Sequence, residues 1–169
     1  MSGLLRTLYA AGAALAGVFM VLIAAMTLGQ VIGRLLGARV PDAGELAGYA
    51  MAAAIFLSLA HTFRRGGHIR VNLLLAHVRP GARRALEYWC LAVLAALGAM
   101  FALFSAQMVR DSYTMGDVST GMLSVPLWIP QISMAVGPIL FEIAVIDEFV
   151  HLLRGNEPRY EQSGEAFTE

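Results

Sequence analysis

Thr7-Leu-Tyr-Ala-Ala-Gly-Ala-Ala-Leu-Ala-Gly-Val-Phe-Met-Val-Leu-Ile-Ala-Ala-Met-Thr-Leu-Gly-Gln-Val-Ile-Gly33 is a run of 27 residues without Asp, Glu, Lys or Arg. A helix rises about 1.5 Å per residue, so roughly 20 apolar residues cover the ~30 Å hydrocarbon core of a bilayer. The run crosses with length to spare. Three more follow: Leu46 to Phe63, Tyr88 to Val109 and Val118 to Phe141, of 18, 22 and 24 residues. An amphipathic helix in water carries charge on one face every three or four residues; none of these does. The pattern predicts an all-α, polytopic membrane protein whose four transmembrane helices occupy about 8–33, 46–63, 88–109 and 122–146. Arg6 before the first run gives it the look of a secretory signal, but a signal's apolar core is only about 7–15 residues long. The first run therefore reads as a retained span.

Composition agrees. Of 169 residues, 58% are hydrophobic and 14% charged, against about 45–50% and about 25% in soluble domains. That excludes an ordinary soluble globule and disorder over most of the length. Twelve basic and 12 acidic residues cancel, which excludes a nucleic-acid binder, since phosphate neutralisation needs clustered positive charge. Every base is Arg. Without Lys there is no phosphate-loop lysine, Schiff-base chemistry or pyridoxal phosphate anchor. Cys90 is the one cysteine, so an internal disulfide and a multi-cysteine metal site are excluded.

Charge between the runs orients them. The middle connection carries Arg64, Arg65, Arg70, Arg79, Arg83 and Arg84 against Glu87. The first holds Arg34 and Arg39 against Asp42 and Glu45, and the third Arg110 against Asp111 and Asp117. Short Arg-rich loops stay in the cytoplasm, so the expected topology has both termini inside. His68 to Arg79 has two apolar sides at helical spacing and predicts a short helix in the cytoplasmic interface. Residues 1–154 thus form a four-helix membrane bundle, and 155–169, with four Glu and one Arg, a flexible acidic tail.

Gly12 and Ala16, Gly29 and Gly33, Ala92 and Ala96, and Gly98 and Ala102 are small pairs four apart, the spacing that lets helices approach closely in lipid. The fourth run contains Pro126, Pro130 and Pro138, with Gly121 and Gly137 adding flexibility. Two readings are open. Either the helix begins near Pro126 and packs a kink at Pro138, or it is broken and builds an ion or substrate site with Ser124, Gln131 and Ser133.

The candidate chemistry is sparse. His61, His68, His77 and His151 all fall near span ends or in loops, where interfacial hydrogen bonding competes with metal or haem ligation. Glu142, Asp147 and Glu148 lie toward the inner end of the fourth run; intramembrane carboxylates serve pairing, capping or ion coupling. Cys90, between Trp89 and Leu91, reads as a buried structural thiol. Tyr9, Tyr88, Trp89 and Trp128 suit the membrane interfaces. Neither Gly-x-Ser-x-Gly nor His-Glu-x-x-His occurs. No enzyme and no cofactor is expected.

Three segments carry a resemblance. The second span opens with Asp42-Ala-Gly-Glu45-Leu-Ala-Gly-Tyr49 and closes in Arg64-Arg65-Gly-Gly-His68-Ile-Arg-Val71-Asn-Leu-Leu. The fourth opens with Ser119-Thr-Gly-Met-Leu123-Ser-Val-Pro126-Leu-Trp128. From about Leu8 to Leu153 the chain resembles the small integral-membrane subunit (DctQ-like) of tripartite ATP-independent periplasmic (TRAP) transporters. It departs in having Pro41-Asp-Ala-Gly where an aromatic residue commonly precedes the Glu, and Asn72 where an Asp commonly follows.

The resemblance implies an accessory subunit in a bacterial or archaeal inner membrane, surrounded by lipid. Its partners would be a large multi-spanning permease on a separate chain and a periplasmic substrate-binding protein. The system would be a secondary uptake transporter for organic acids driven by an ion gradient, sodium in this family. Glu45 would anchor the outer face, with Arg34 and Arg39 available to pair. Arg64, Arg65 and His68 would fix the inner end of the second helix through phosphate or carbonyl contacts. Ser119, Pro126 and Trp128 would shape the outer entry of the fourth. Arg34, Arg39, Asp42, Arg110, Asp111 and Asp117 are either docking contacts for the binding protein or solvated loop ends. The competing readings are a self-sufficient small oligomeric transporter and a haem-bearing redox anchor.

Overall fold

The computed structural model describes residues 3–38, 42–65 and 80–154. They form four helices: α1 (Gly3–Leu35), α2 (Ala43–Arg64), α3 (Pro80–Met115) and α4 (Trp128–Leu153). With 33, 22, 36 and 26 residues, each exceeds the ~20 needed to span a bilayer. The stretches long and apolar enough to cross are Thr7–Leu35, Ala43–Arg64, Ala85–Met115 and Trp128–Leu153. Among the described residues there is no strand, only an isolated bridge between Val118 and Pro126. The protein is an all-α polytopic membrane protein. The expected interfacial helix at 68–79 and the tail at 155–169 lie outside the described residues.

Helix ends follow backbone chemistry more than the edges of the uncharged runs. Beyond α1, Gly37 takes φ 72°, its N–H reaching the Arg34 carbonyl while the Ala38 N–H reaches that of Gly33 at 2.8 Å. This is a Schellman ending, in which a left-handed residue turns the chain back over the last carbonyls. At the end of α3, Gly116 has φ 70° and the Asp117 N–H reaches the Ser112 carbonyl at 3.1 Å. The fourth helix begins at Trp128, six residues beyond the expected 122, and ends at Leu153. An uncharged run need not be helical throughout; here its first third is a turn that Pro126 helps close. Past that turn α4 runs through Pro130 and Pro138 without a break. Pro138 is wholly buried. The packed reading of the prolines is the one this chain adopts.

The helices pack in the order α1–α2–α4–α3, with each neighbouring pair in extensive contact. Small residues set the spacing, as expected where lipid is as apolar as the side chains. A Cβ on Gly12 would stand 2.9 Å from the Leu57 carbonyl oxygen, and Ala16 is buried with Ala53 and Leu57 in the same seam. Between α2 and α4, a Cβ on Gly137 would stand 2.3 Å from the carbonyl oxygen of Phe56. Gly98 holds the corresponding place between α3 and α4. Gly29 faces open space while Gly33 is buried, and Ala92 and Ala96 are exposed, so the Ala92–Ala96 pair is not used among the described residues.

All four helices contribute to one apolar core, built from Tyr9, Ala60, Phe63, Leu91, Ala144, Val145 and Leu152. It lies at the end of the bundle holding the start of α1 and the end of α4, here the terminal end. The opposite, loop end holds the α1–α2 and α3–α4 connections. Outward faces are apolar: Val18, Met20 and Val21 on α1, and Leu103 and Phe104 on α3, are each more than three-fifths exposed. Such faces suit lipid or another membrane protein.

Candidate functional site: polar clasps at the two ends of the bundle

At the loop end, residues 117–127 close into a narrow turn around Ser119. The Ser119 N–H donates to the Val125 carbonyl at 2.8 Å, and the Leu127 N–H to that of Asp117 at 2.9 Å. The buried Ser119 hydroxyl donates to the Leu123 carbonyl at 3.1 Å and accepts from the Val125 N–H at 3.3 Å. Pro126 has no N–H to offer, but its carbonyl accepts from Ile129 at 3.2 Å and starts α4. Trp128 then stands edge-on to Tyr113 of α3, ring centres 5.7 Å apart. Asp117 ties this turn to α3 by accepting from the Ser112 hydroxyl at 3.3 Å.

The head of α2 grips the turn from the other side. Asp42 is the one non-glycine residue with positive φ, 54°, among the described residues, a conformation Asp tolerates better than most. It aims its carboxylate at the backbone N–H of Leu123, 81 residues away. One turn on, Glu45 accepts from the Tyr49 hydroxyl at 2.5 Å. Its other oxygen lies so near Gly121 that a Cβ there would meet it at 2.2 Å. A side chain at position 121 would have to displace the Glu45 carboxylate. The expected pairing of Glu45 with Arg34 is not formed; Tyr49 takes that place. Arg34 is exposed on α1 beside Gln30, Val31 and Leu35, Arg110 and Asp111 are exposed on α3, and Arg39 lies outside the described residues.

At the terminal end a second clasp joins three helices. Arg64 Nη1 lies 2.7 Å from Asp147 Oδ2, across α2 and α4, with both side chains largely covered. Its guanidinium also lies over the ring of Tyr9 on α1, 5.2 Å from the centroid, within cation–π range. Arg64 thus meets a carboxylate and an aromatic face. On α3, the Tyr88 hydroxyl donates to the Leu152 carbonyl at 3.0 Å. Arg65 is exposed and caps α2 through its own N–H to the His61 carbonyl. His68 lies outside the described residues.

One residue of α3 sits differently from its sequence reading. Cys90 is exposed, because α3 turns Leu91 inward and leaves Trp89 and Cys90 on its outer face; an all-apolar helix has no polar stripe to mark which side is out. Glu142 is the fifteenth of 26 residues in α4, because that helix runs on to Leu153. Its Oε2 is buried without a hydrogen-bond partner. It lies against Gly98, where a Cβ would meet it at 2.3 Å. Among the described residues, no three His, Cys, Asp or Glu side chains gather as a metal site would require. Sequence reading missed Tyr49 and Gly121. The spacing of four between Glu45 and Tyr49 was the available signal for the first.

Residues 23–155 match the family model described as the DctQ component of tripartite ATP-independent periplasmic transporters. The chain belongs to the DctQ family. The matched span runs from the middle of α1 past the end of α4, and so contains the whole loop-end clasp and both members of the Arg64–Asp147 pair. A comparison with curated proteins returned no match. As a DctQ-family chain the protein is the small membrane subunit of a TRAP transporter, a multi-pass protein of the inner membrane. Both clasps bind DctQ helices to one another, and their polar groups are largely occupied in doing so.

Proposed function

We propose that this DctQ-family chain is the static scaffold of its transporter: it braces a large permease subunit on a separate chain and helps dock the periplasmic binding protein. The transport is uptake of an organic acid, driven by an ion gradient, sodium in the first instance. Both termini lie in the cytoplasm, which puts the Arg-rich α2–α3 connection inside and the loop-end clasp at the periplasmic face.

The observation carrying this reading is the division of labour among the polar groups. Asp42 holds α2 to the 117–127 turn and Arg64 with Asp147 holds α2 to α4, Glu45 and Ser119 bond within their own helix and turn, and the long faces of α1 and α3 remain apolar and exposed. A frame with rigid ends and broad apolar flanks suits bracing. Asp42 and Asp117 already accept hydrogen bonds within the clasp, so Arg34, Arg110 and Asp111 are the better candidates for docking charges.

The test is uptake by reconstituted liposomes. Sodium-driven accumulation is expected only with this chain, the permease and the binding protein together. Full uptake by the permease and binding protein without this chain would overturn the scaffold role. The mid-helix position of Glu142 favours a second reading, a small transporter acting alone as an oligomer. Transport by this chain by itself, lost in Glu142→Gln, would establish that reading instead.

A further inference from the structure

Glu142 is a covered polar group that neither clasp uses. Helix α4 runs from Trp128 to Leu153 and α3 from Pro80 to Met115, so Glu142 and Gly98 each fall at the middle of their helix. They face one another there. The carboxylate makes no hydrogen bond or ion pair among the described residues, and its Oε2 is shut off from solvent. A carboxylate covered in a helix seam is costly unless a partner meets it. Among the described cations, those of α3 and α4 are too far along the helices, while Arg64 on α2 lies closer. Arg154 is 12 residues from Glu142 and Arg110 is 12 residues from Gly98, about 18 Å at 1.5 Å per residue. Arg64 is committed to Asp147.

The surroundings show how a partner could reach it. One and two positions beyond a half-turn on α4, Pro138 and Val145 are fully buried while Ile139 and Ile146 are exposed. Glu142 stands on the border between these faces and is itself only half-buried. Gly98 leaves room for its carboxylate in the α3–α4 seam, where a Cβ would meet Oε2. The seam is flanked by exposed apolar surface at Ile139, Ile143 and Ile146. It has the form of a polar socket in an apolar strip.

We propose that this seam is the contact surface for a transmembrane helix of the large permease subunit, which inserts a basic side chain against Glu142. Charge complementarity selects the occupant: lipid tails cover the isoleucines equally well but leave the carboxylate without a counter-charge. The inference rests on the scaffold reading above, because it takes a large membrane partner as given.

The test is co-purification of the co-expressed pair in mild detergent through a tag on this chain, comparing wild type with Glu142→Gln. The substitution keeps size and polarity and removes the charge. Recovery of the permease is expected to fall about tenfold or more, while the variant purified alone keeps its helical circular dichroism and monodispersity. Wild-type recovery with Glu142→Gln would overturn the basic side chain. Failure of the wild-type chain to retain the permease would overturn the scaffold reading itself, so the two failures are told apart. Photo-cross-linking from position 146 (Ile146→benzoylphenylalanine, with Glu142 intact) supplies a second readout. Cross-links to the permease near a Lys or Arg support the proposal; cross-links to lipid alone overturn it.

Discussion

The substitution Gly137→Ala sets a methyl group against the backbone of α2. At that position a Cβ would lie 2.3 Å from the Phe56 carbonyl oxygen, 2.5 Å from its carbon and 2.7 Å from the Phe56 Cβ, where ordinary contact begins at 3.4 Å. Helices α2 and α4 must therefore separate locally by about 1.1 Å, the difference between 3.4 and 2.3 Å. The obstacle is helix backbone, not the end of a flexible side chain, and the wholly buried Pro138 beside it leaves little slack. Overpacking of this kind costs about 1–3 kcal/mol, while Ala gains roughly 0.5–1 kcal/mol over Gly in a helix. The net loss should be about 1–2 kcal/mol, or ~3–6 °C in melting temperature for a chain of this size. Two controls calibrate it. Gly12→Ala meets the Leu57 carbonyl at 2.9 Å, a milder clash, and Gly17→Ala meets nothing within 4 Å. Thermal unfolding in detergent, followed by circular dichroism or loss of monodispersity, should rank Gly17→Ala at or above wild type, then Gly12→Ala, then Gly137→Ala. If Gly137→Ala melted with Gly17→Ala, the close approach of α2 and α4 would be refuted.

Other perturbations separate the clasps from the faces. Asp147→Asn strands the covered Arg64, and the loss should exceed the ~1 kcal/mol ceiling of exposed pairs and approach the ~3–5 kcal/mol of buried ones, measured by the same melting. Ser119→Ala removes both hydroxyl contacts from a buried site; about 1–2 kcal/mol of local stability should go, seen as faster amide exchange across 117–127 with little change in α1. Glu45→Ala frees Tyr49 and loosens the grip on Gly121, so permease co-purification should fall while substrate affinity of the assembled transporter holds. Reversing exposed charge in Arg34→Glu with Arg110→Glu should alter binding-protein affinity at low salt and lose that effect as salt screens it; no change at low salt would count against that surface.

The four spans were legible because lipid imposes a blunt rule: about 20 residues without charge, or no crossing. The gathering of Asp42, Glu45, Ser119 and Trp128 at one end follows from the same count, since two connections must emerge together. The rest depends on distances that periodicity does not encode. Arg64 and Asp147 are 83 residues apart, and nothing local to either names the other. Gly137 looks like flexibility in sequence and is a packing contact in space. Cys90 looks buried because its neighbours are apolar, yet in a membrane the outward face is apolar too. The run Val118 to Phe141 carries no charge, but its opening residues satisfy their amides in a turn, so absence of charge and helix were different properties there.

Strength at the ends and weakness in the middle have a mechanical consequence. An ion pair and a hydrogen bond from the Tyr88 hydroxyl at the terminal end join α4 to α2 and α3, and at the loop end the Asp42 carboxylate joins α2 to the turn that starts α4. Between them the helices touch through glycine and alanine, which hold spacing but contribute little directional force. Such a row resists splaying at its ends, and a large partner that pulled on this frame during transport would meet fixed ends.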